Sequence, residues 1–273
     1  MSSSKSILIT GATDGIGLAA AKLLAGEGHH LVLHGRNPDK LQAATEDVGS
    51  VSGACEVESI RADLSDLGQV ADMAASLADR ATNLDVVINN AGIFNAPQTL
   101  TTDGLDVRFA VNTVAPYLLA QRLLPQLPAD GRIVNLSSAA QAPVDIDALQ
   151  GNITIEDDFQ AYAQSKLALT MWSREMGLAC RESGPLVVSL NPGSLIGTKM
   201  VKEGFGIEGS DISIGATIIF RSAVDDVFAN ACGEYFDNDA GDFGTPHEDA
   251  LDDGKCRAVI AAIEATLKRV LGS

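Results

Sequence analysis

Basic residues are scarce in this chain. Its 273 residues carry 19 Lys plus Arg against 36 Asp plus Glu, a formal net charge of −17. Such a surface repels phosphate backbones and anionic membranes, which disfavours a nucleic-acid partner held by a general basic face. Any phosphate-bearing ligand must then be gripped by local geometry. Aromatics make up only 4%, leaving few platforms for stacking single-stranded bases. The four cysteines, Cys55, Cys180, Cys232 and Cys256, form no CxxC pair and have no His at ligand spacing. Neither a zinc site nor a disulfide framework is expected, and no metal. No run approaches ~18 apolar residues, so no membrane span is expected. The start MSSSKSILITG lacks the apolar stretch of a signal peptide. These absences point to a reducing, cytoplasmic setting.

What is present is a globular composition, 46% hydrophobic, enough to bury one sizeable core. Short apolar runs alternate with longer amphipathic ones. The runs at 6–10, 31–33, 57–61, 85–89, 132–137 and 186–190 are expected strands. The stretches 15–27, 39–47, 65–80, 103–124 and 159–182 are expected helices. Runs such as Val86-Val87-Ile88 are continuously apolar, which suits a parallel sheet covered on both faces. The expected fold is α/β, a single-domain doubly wound parallel sheet with helices on both faces, spanning 1–273. Residues 194–216, rich in Gly and Ser, are expected to form a substrate lid, and 233–273 a C-terminal extension. Within it, Cys256, Val259, Ile260, Ile263, Leu267 and Val270 recur at helical spacing, as in a terminal helix packed on the core.

Between the first strand and the first helix lies Thr10-Gly11-Ala12-Thr13-Asp14-Gly15-Ile16-Gly17. Glycines there allow a tight turn and close backbone approach, and the helix N-terminus offers free N–H groups to a pyrophosphate. The spacing is GxxxGxG rather than GxGxxG. Further on, the stripe Leu105, Phe109, Asn112, Pro116, Leu119, Leu123 is apolar except for Asn112, which should therefore have buried polar work. Pro116 has no N–H for the Asn112 carbonyl. Tyr162 and Lys166 stand four apart, on one helical face.

The turn resembles the cofactor turn of the short-chain dehydrogenase/reductase family. Asn89-Asn90-Ala91-Gly92 after the fourth strand, Ser137-Ser138 ending the fifth, Tyr162 through Lys166, and Asn191-Pro192-Gly193 ending the sixth are similar to its other signatures, in the same order. The likeness covers about residues 6–200 and implies a Rossmann-like fold and a nicotinamide cofactor. The stretch 139–161 is longer than in many members, as in the retinol-dehydrogenase-like and protochlorophyllide-reductase-like branch. By this resemblance Tyr162 is the proton donor, Lys166 tunes it, Ser138 polarises the substrate oxygen, and Asn112 supports proton resupply through a water. An ammonium near Tyr162 is expected to acidify the phenol. Gly11, Thr13, Asp14, Gly15, Ile16 and Gly17 would form the phosphate turn. Asp63, Leu64, Asn90, Ala91 and Gly92 would meet the adenosine side, although Asp63 reads equally as a helix-start residue. Pro192, Gly193 and Thr198, with Tyr162 and Lys166, would meet the nicotinamide side.

An NAD site usually has a carboxylate about 20 residues beyond the glycines. Here the second strand ends Leu33-His34-Gly35-Arg36-Asn37, with a guanidinium that can fork onto a 2′-phosphate instead. Asp14 opposes a phosphate at that end. The expected protein is an NADP-dependent oxidoreductase acting on a small-molecule carbonyl or alcohol, with a homo-oligomer compatible. The alternatives are a non-catalytic dinucleotide-binding regulator and an NAD-linked dehydrogenase or epimerase.

Overall fold

A computed structural model describes residues 4–79, 84–182 and 184–272. Strand β1 (Ser6–Ile9) leads to α1 (Gly15–Gly26), β2 (His30–Gly35), α2 (Pro38–Gly49), β3 (Val57–Arg61), α3 (Leu67–Ala78) and β4 (Val86–Asn89). The chain continues through α4 (Val107–Phe109), a π-helical turn (Ala110–Val114), α5 (Ala115–Leu123), β5 (Arg132–Leu136), α6 (Ile146–Leu149), α7 (Asp158–Cys180) and β6 (Leu186–Asn191). Then follow α8 (Lys199–Phe205), α9 (Ile212–Val224), β7 (Tyr235–Asp237), β8 (Asp242–Gly244) and α10 (Asp253–Leu271).

One sheet runs in the order β3-β2-β1-β4-β5-β6-β7-β8. Every pairing is parallel except β7 with β8. The fold is thus the expected doubly wound, Rossmann-like one. Chain order reverses between β1 and β4, the switch point where a crevice opens beyond the strand carboxyl ends. The central strands β1, β4, β5 and β6 are buried throughout, because helices cover both faces of the sheet. One face holds Trp172, Phe109, Leu119 and Ile263. The other holds Leu24, Ile88, Ile219 and Phe228.

Part of the acidic excess stands at helix starts. Asp14, Asp66, Asp157, Asp211 and Asp252 each cap a helix by accepting first-turn amide protons. A capping carboxylate also faces the positive end of the helix dipole. Asp66 starts α3 at Leu67, two residues later than the sequence pattern suggested. The expected end of that helix, Arg80, lies outside the described residues.

The expected single helix over 103–124 is instead α4, a π turn and α5. A π turn closes a wider ring, and here the Ala115 N–H reaches the Ala110 carbonyl. Pro116, which cannot donate, follows in the first turn of α5. The start of this segment is tied to α7 by Arg108, only 1% exposed. Its guanidinium holds both carboxylate oxygens of Asp106, at 2.8 and 2.6 Å, and also donates to Asp158 at the first turn of α7. Helix α10 docks as expected: Cys256, Val259, Ile263 and Leu267 are buried against the α3–α5–α7 core, and Tyr117 of α5 donates to Glu264 at 2.9 Å.

Helix α7 lies directly on β6 and on the turn before β7 because Gly177 has no side chain. A Cβ there would stand 2.3 Å from the Gly233 amide and 2.7 Å from the Val187 carbonyl. Gly177→Ala is therefore expected to cost about 3 kcal/mol in urea unfolding, as overpacking against backbone does. Gly49→Ala, where nothing lies within 4 Å, is the control expected to leave stability unchanged or slightly raised. Equal stabilities would contradict the close-packing account.

Candidate active site

The carboxyl ends of the central strands border a cleft of about 650 Å³. At one end is the glycine turn. Gly11 and Gly15 have φ of +64° and +56°, in the left-handed region, where glycine alone is unstrained. A Cβ on Gly11 would stand 2.8 Å from Ala91 Cα, and one on Gly17 would stand 2.4 Å from Asn90 Nδ2. The turn is thus pressed against the loop after β4. Asn90 Nδ2 donates to the Thr10 and Gly11 carbonyls at 2.8 and 3.1 Å, and the Ala91 amide donates to Thr10 Oγ1 at 3.0 Å. Asn90 Oδ1 is buried and has no hydrogen-bond partner among the described residues. Gly11, Thr13, Asp14, Gly15, Ile16, Asn90, Ala91 and Gly92 all border the cleft. Gly17 is buried behind it, a packing residue. The Asp14 carboxylate accepts from the Gly15 amide at 2.8 Å.

At the ends of β2 and β3 stand Arg36, Asp63 and Leu64, all on the cleft wall. Arg36 is exposed. Its carbonyl accepts from Arg61 Nε at 3.2 Å, so a second guanidinium shares the corner. The Asp63 carboxylate takes the Ser65 amide and hydroxyl at 3.0 and 2.7 Å, closing a turn rather than starting the helix, which Asp66 caps; the residue still lines the cleft.

Ser138, Tyr162 and Lys166 come together at the other end. Side-chain alternation past β5 puts Ser137 inward, its hydroxyl 2.6 Å from Thr170 Oγ1, and turns Ser138 to the cleft. Ser138 stands beside Tyr162, near enough for its hydroxyl to pull the phenol pKa down. Lys166 Nζ donates to the Leu136 carbonyl at 2.7 Å and lies 5.8 Å from the Tyr162 ring centroid. Desolvation lowers its pKa to about 8. Burial raises the Tyr162 phenol, with Ser138 pulling weakly the other way. Burial is the larger influence, so the phenol holds its proton, while the ammonium is turned to a carbonyl. The expected acidification of Tyr162 is absent in this arrangement.

Asn112 lies behind this group, fully buried. Its Oδ1 accepts from the Ile93 amide at 2.8 Å, and its Nδ2 donates to the Ile93 carbonyl and to Ser165 Oγ, both at 2.9 Å. The side chain thus fastens the loop after β4 to α7. A Cβ on Gly92 would stand 3.4 Å from Lys166 Nζ and 3.6 Å from Asn112 Oδ1. Asn89, by contrast, belongs to the sheet, donating to Asn135 at 2.8 Å.

Pro192, Gly193 and Thr198 complete the wall. Thr198 caps α8, with its methyl 3.5 Å from where a Gly15 Cβ would stand. Of residues 194–216, 194–196 and 198–201 border the cleft, whereas 212–216 open α9, which packs on α1. Phe94 stands edge-on to Tyr162, with centroids 5.3 Å apart. It bounds the cleft with Ile93, Phe159, Met200 and Leu195, an apolar mouth. Among the described residues no group of His, Cys, Asp and Glu is arranged to hold a metal, and no helix is long and apolar enough to cross a membrane.

His34 was not singled out in the sequence, where one imidazole in a strand carries no pattern. It is 3% exposed. Its Nδ1 accepts from the Gly11 amide at 3.2 Å, and Nε2–H donates to the Ala62 carbonyl at 3.1 Å. The Gly11 bond needs the neutral ring, and burial lowers its pKa from 6.5 to about 4 against the Ala62 bond, which favours the charged form. Between these values the unfolded chain binds a proton that the folded one does not, so stability falls as pH drops from 6.5 towards 4. The loss is expected to reach on the order of 3 kcal/mol. Urea unfolding at both pH values checks it: in His34→Gln this part of the pH dependence should vanish, and an unchanged slope would contradict the assignment.

The sequence model of the family described as short chain dehydrogenase matches residues 5–205. Human retinol dehydrogenase 13 is 31% identical over 253 residues, covering 85% of this chain and 76% of that protein. The structure of an uncharacterized protein from Mycobacterium Paratuberculosis superposes with a TM-score of 0.78 at 28% identity, covering 97% of this chain and 93% of the other. A short chain dehydrogenase from Shigella flexneri, solved in complex with NADP, gives 0.67 at 25% identity, covering 86% and 97%.

Proposed function

The chain belongs to the short chain dehydrogenase family, in its retinol-dehydrogenase-like branch, and we propose that it is an NADP-dependent oxidoreductase interconverting a carbonyl and an alcohol. One observation carries the reading. Ser138, Tyr162 and a buried Lys166 line one end of a cleft together, and the other end is a glycine turn in which Gly11 and Gly17 leave no room for a Cβ.

The residues present fit a dinucleotide. The left-handed turn at Gly11 and Gly15 leaves backbone open to the cleft, and the orphaned acceptor Asn90 Oδ1 lies just beside it. Gly11, Thr13, Asp14, Gly15 and Ile16 would hold the pyrophosphate, with Gly17 and Asn90 shaping that turn. Asp63, Leu64, Ala91 and Gly92 would flank the adenosine. Arg36, and Arg61 beside it, would take a 2′-phosphate through charge-assisted bonds. Pro192, Gly193 and Thr198 would flank the nicotinamide. NADPH, when bound, supplies the hydride.

The chain's own side chains handle the proton. The raised Tyr162 phenol keeps its proton on Oη and gives it to the carbonyl oxygen as that oxygen gains charge. The Ser138 hydroxyl donates to the same oxygen and stabilises the charge. Lys166, charged below about pH 8, favours the phenolate left behind. Asn112 holds the loop after β4 against α7 through its side chain. Its main-chain carbonyl, to which Pro116 can offer no N–H, would serve proton resupply. We read residues 194–216 as the lid over the substrate end, residues 233–273 as an extension of one domain, and the cytoplasm as its location.

Tyr162→Phe removes the transferable proton and little volume. It should keep NADPH affinity while lowering kcat for carbonyl reduction by about 10²-fold or more. Near wild-type turnover would contradict the assignment. Arg36→Ala should weaken NADPH relative to NADH by roughly tenfold, the worth of one charge-assisted bond. A variant that still discriminates fully would refute the role of Arg36. With Lys166 titrating at about 8, reductive kcat/KM should fall as pH rises through that value. A flat profile to pH 10 would show that the ammonium does not contribute.

A further inference from the structure

Gly193 leads out of β6 with φ of +123°, and Leu195, two residues on, has φ of +52°. Among the described residues Leu195 is the one non-glycine with positive φ. A leucine is held in that region only when its surroundings over-determine it. Its side chain borders the cleft and is half-exposed, so burial does not account for the conformation.

Hydrogen bonds on either side of Leu195 do. Downstream, the Ser210 amide donates to the Leu195 carbonyl at 2.8 Å, and the Gly197 amide donates to the Ser210 carbonyl at 2.7 Å. Upstream, Ser194 is gripped by a residue 45 positions away. Its amide donates to Asp239 Oδ1 at 2.8 Å and its hydroxyl to Oδ2 at 2.5 Å. Asn191 Nδ2 donates to the same carboxylate at 2.9 Å and to Asp237 at 2.9 Å. Asn238 Nδ2 donates to the Pro192 carbonyl at 2.8 Å. Asp239 lies in the turn between β7 and β8, and β7 pairs with β6 at Asn191. The sheet itself thus carries the carboxylate to the turn.

We infer that Asp239 is a positioning residue: by holding Ser194 it keeps Leu195 left-handed and sets the start of α8, with its cap Thr198, against the glycine turn. This rests on reading the cleft as a dinucleotide site. A carboxylate suits the task because all three groups aimed at it are donors, and an amide replaces one acceptor oxygen with another donor. The Asn191 side chain retains Asp237, so the loss in Asp239→Asn falls on Ser194.

Amide hydrogen exchange in the cofactor-free protein tests the hold directly, because the Gly197 and Ser210 amides report on it. In Asp239→Asn both should exchange about tenfold faster through local opening, while the Thr10 amide, bonded to Ile88 in the sheet, stays unchanged. Adding Leu195→Gly removes the left-handed penalty and should bring both rates back to within about threefold of wild type. A merely structural loss would not be rescued by deleting a side chain elsewhere. With NADPH as probe, the dissociation constant should rise about fivefold in Asp239→Asn. Unchanged exchange in the single variant, a double variant as loose as the single, or an unmoved NADPH affinity would each overturn the inference. A wild-type protein that binds no NADPH would instead contradict the reading of the cleft, and the exchange comparison would still decide the role of Asp239.

Discussion

The contact between the glycine turn and the loop after β4 is the constraint on which the site depends. Gly11 meets the Ala91 backbone and Gly17 meets the Asn90 side chain, each at a distance that admits no Cβ. Asn90 and Thr10 then stitch β1 to β4 where the sheet reverses direction. From that seam a line of hydrogen bonds runs outward. Asn112 carries it from Ile93 to Ser165, on the helix that bears Tyr162 and Lys166. Arg108 fixes the N-terminal start of that helix through Asp158. The two ends of the cleft are thereby kept at a set separation by backbone and buried polar contacts, not by exposed ion pairs, which would be worth little.

The first six strands and the longer helices were legible because their physics is local, whereas β7, β8, α8 and α9 were not anticipated. Continuous apolar runs need burial on both faces, and an Asp followed by an amphipathic stretch starts a helix. The GxxxGxG turn and the Tyr162–Lys166 spacing were legible for the same reason. What was not legible depends on residues far apart. The π turn carries Asn112, whose side chain reaches both Ile93 and Ser165. His34 acquires its role only when Gly11 and Ala62 close around it. The carboxylate of Asp239 meets Ser194 across 45 residues because β7 pairs with β6. The phenol pKa was misjudged because Coulomb attraction follows from sequence spacing, whereas desolvation follows from the packed cleft.

The acidic excess finds a physical place in the fold. Much of it caps helices, and in the β7–β8 turn it orders a loop. The guanidiniums at the Arg36 corner stand out against this background. In a chain of charge −17, long-range steering of an anionic ligand is unfavourable, so selectivity for a phosphate must come from short contacts at that corner and from the amides of the turn. Desolvation at the opposite end keeps a phenol protonated and brings an ammonium near neutrality. On the proposed reading, one cleft combines an anion-holding end with a proton-donating one.

Hydride transfer is the central claim, and isotopic labelling tests it most directly. NADPH carrying deuterium at the transferable position of its nicotinamide ring, incubated with the protein and a panel of apolar ketones and aldehydes, is predicted to yield an alcohol with one deuterium on the carbinol carbon. Consumption of NADPH should match the alcohol formed. Binding of NADPH without label transfer to any member of the panel, or an alcohol lacking the deuterium, would contradict the account.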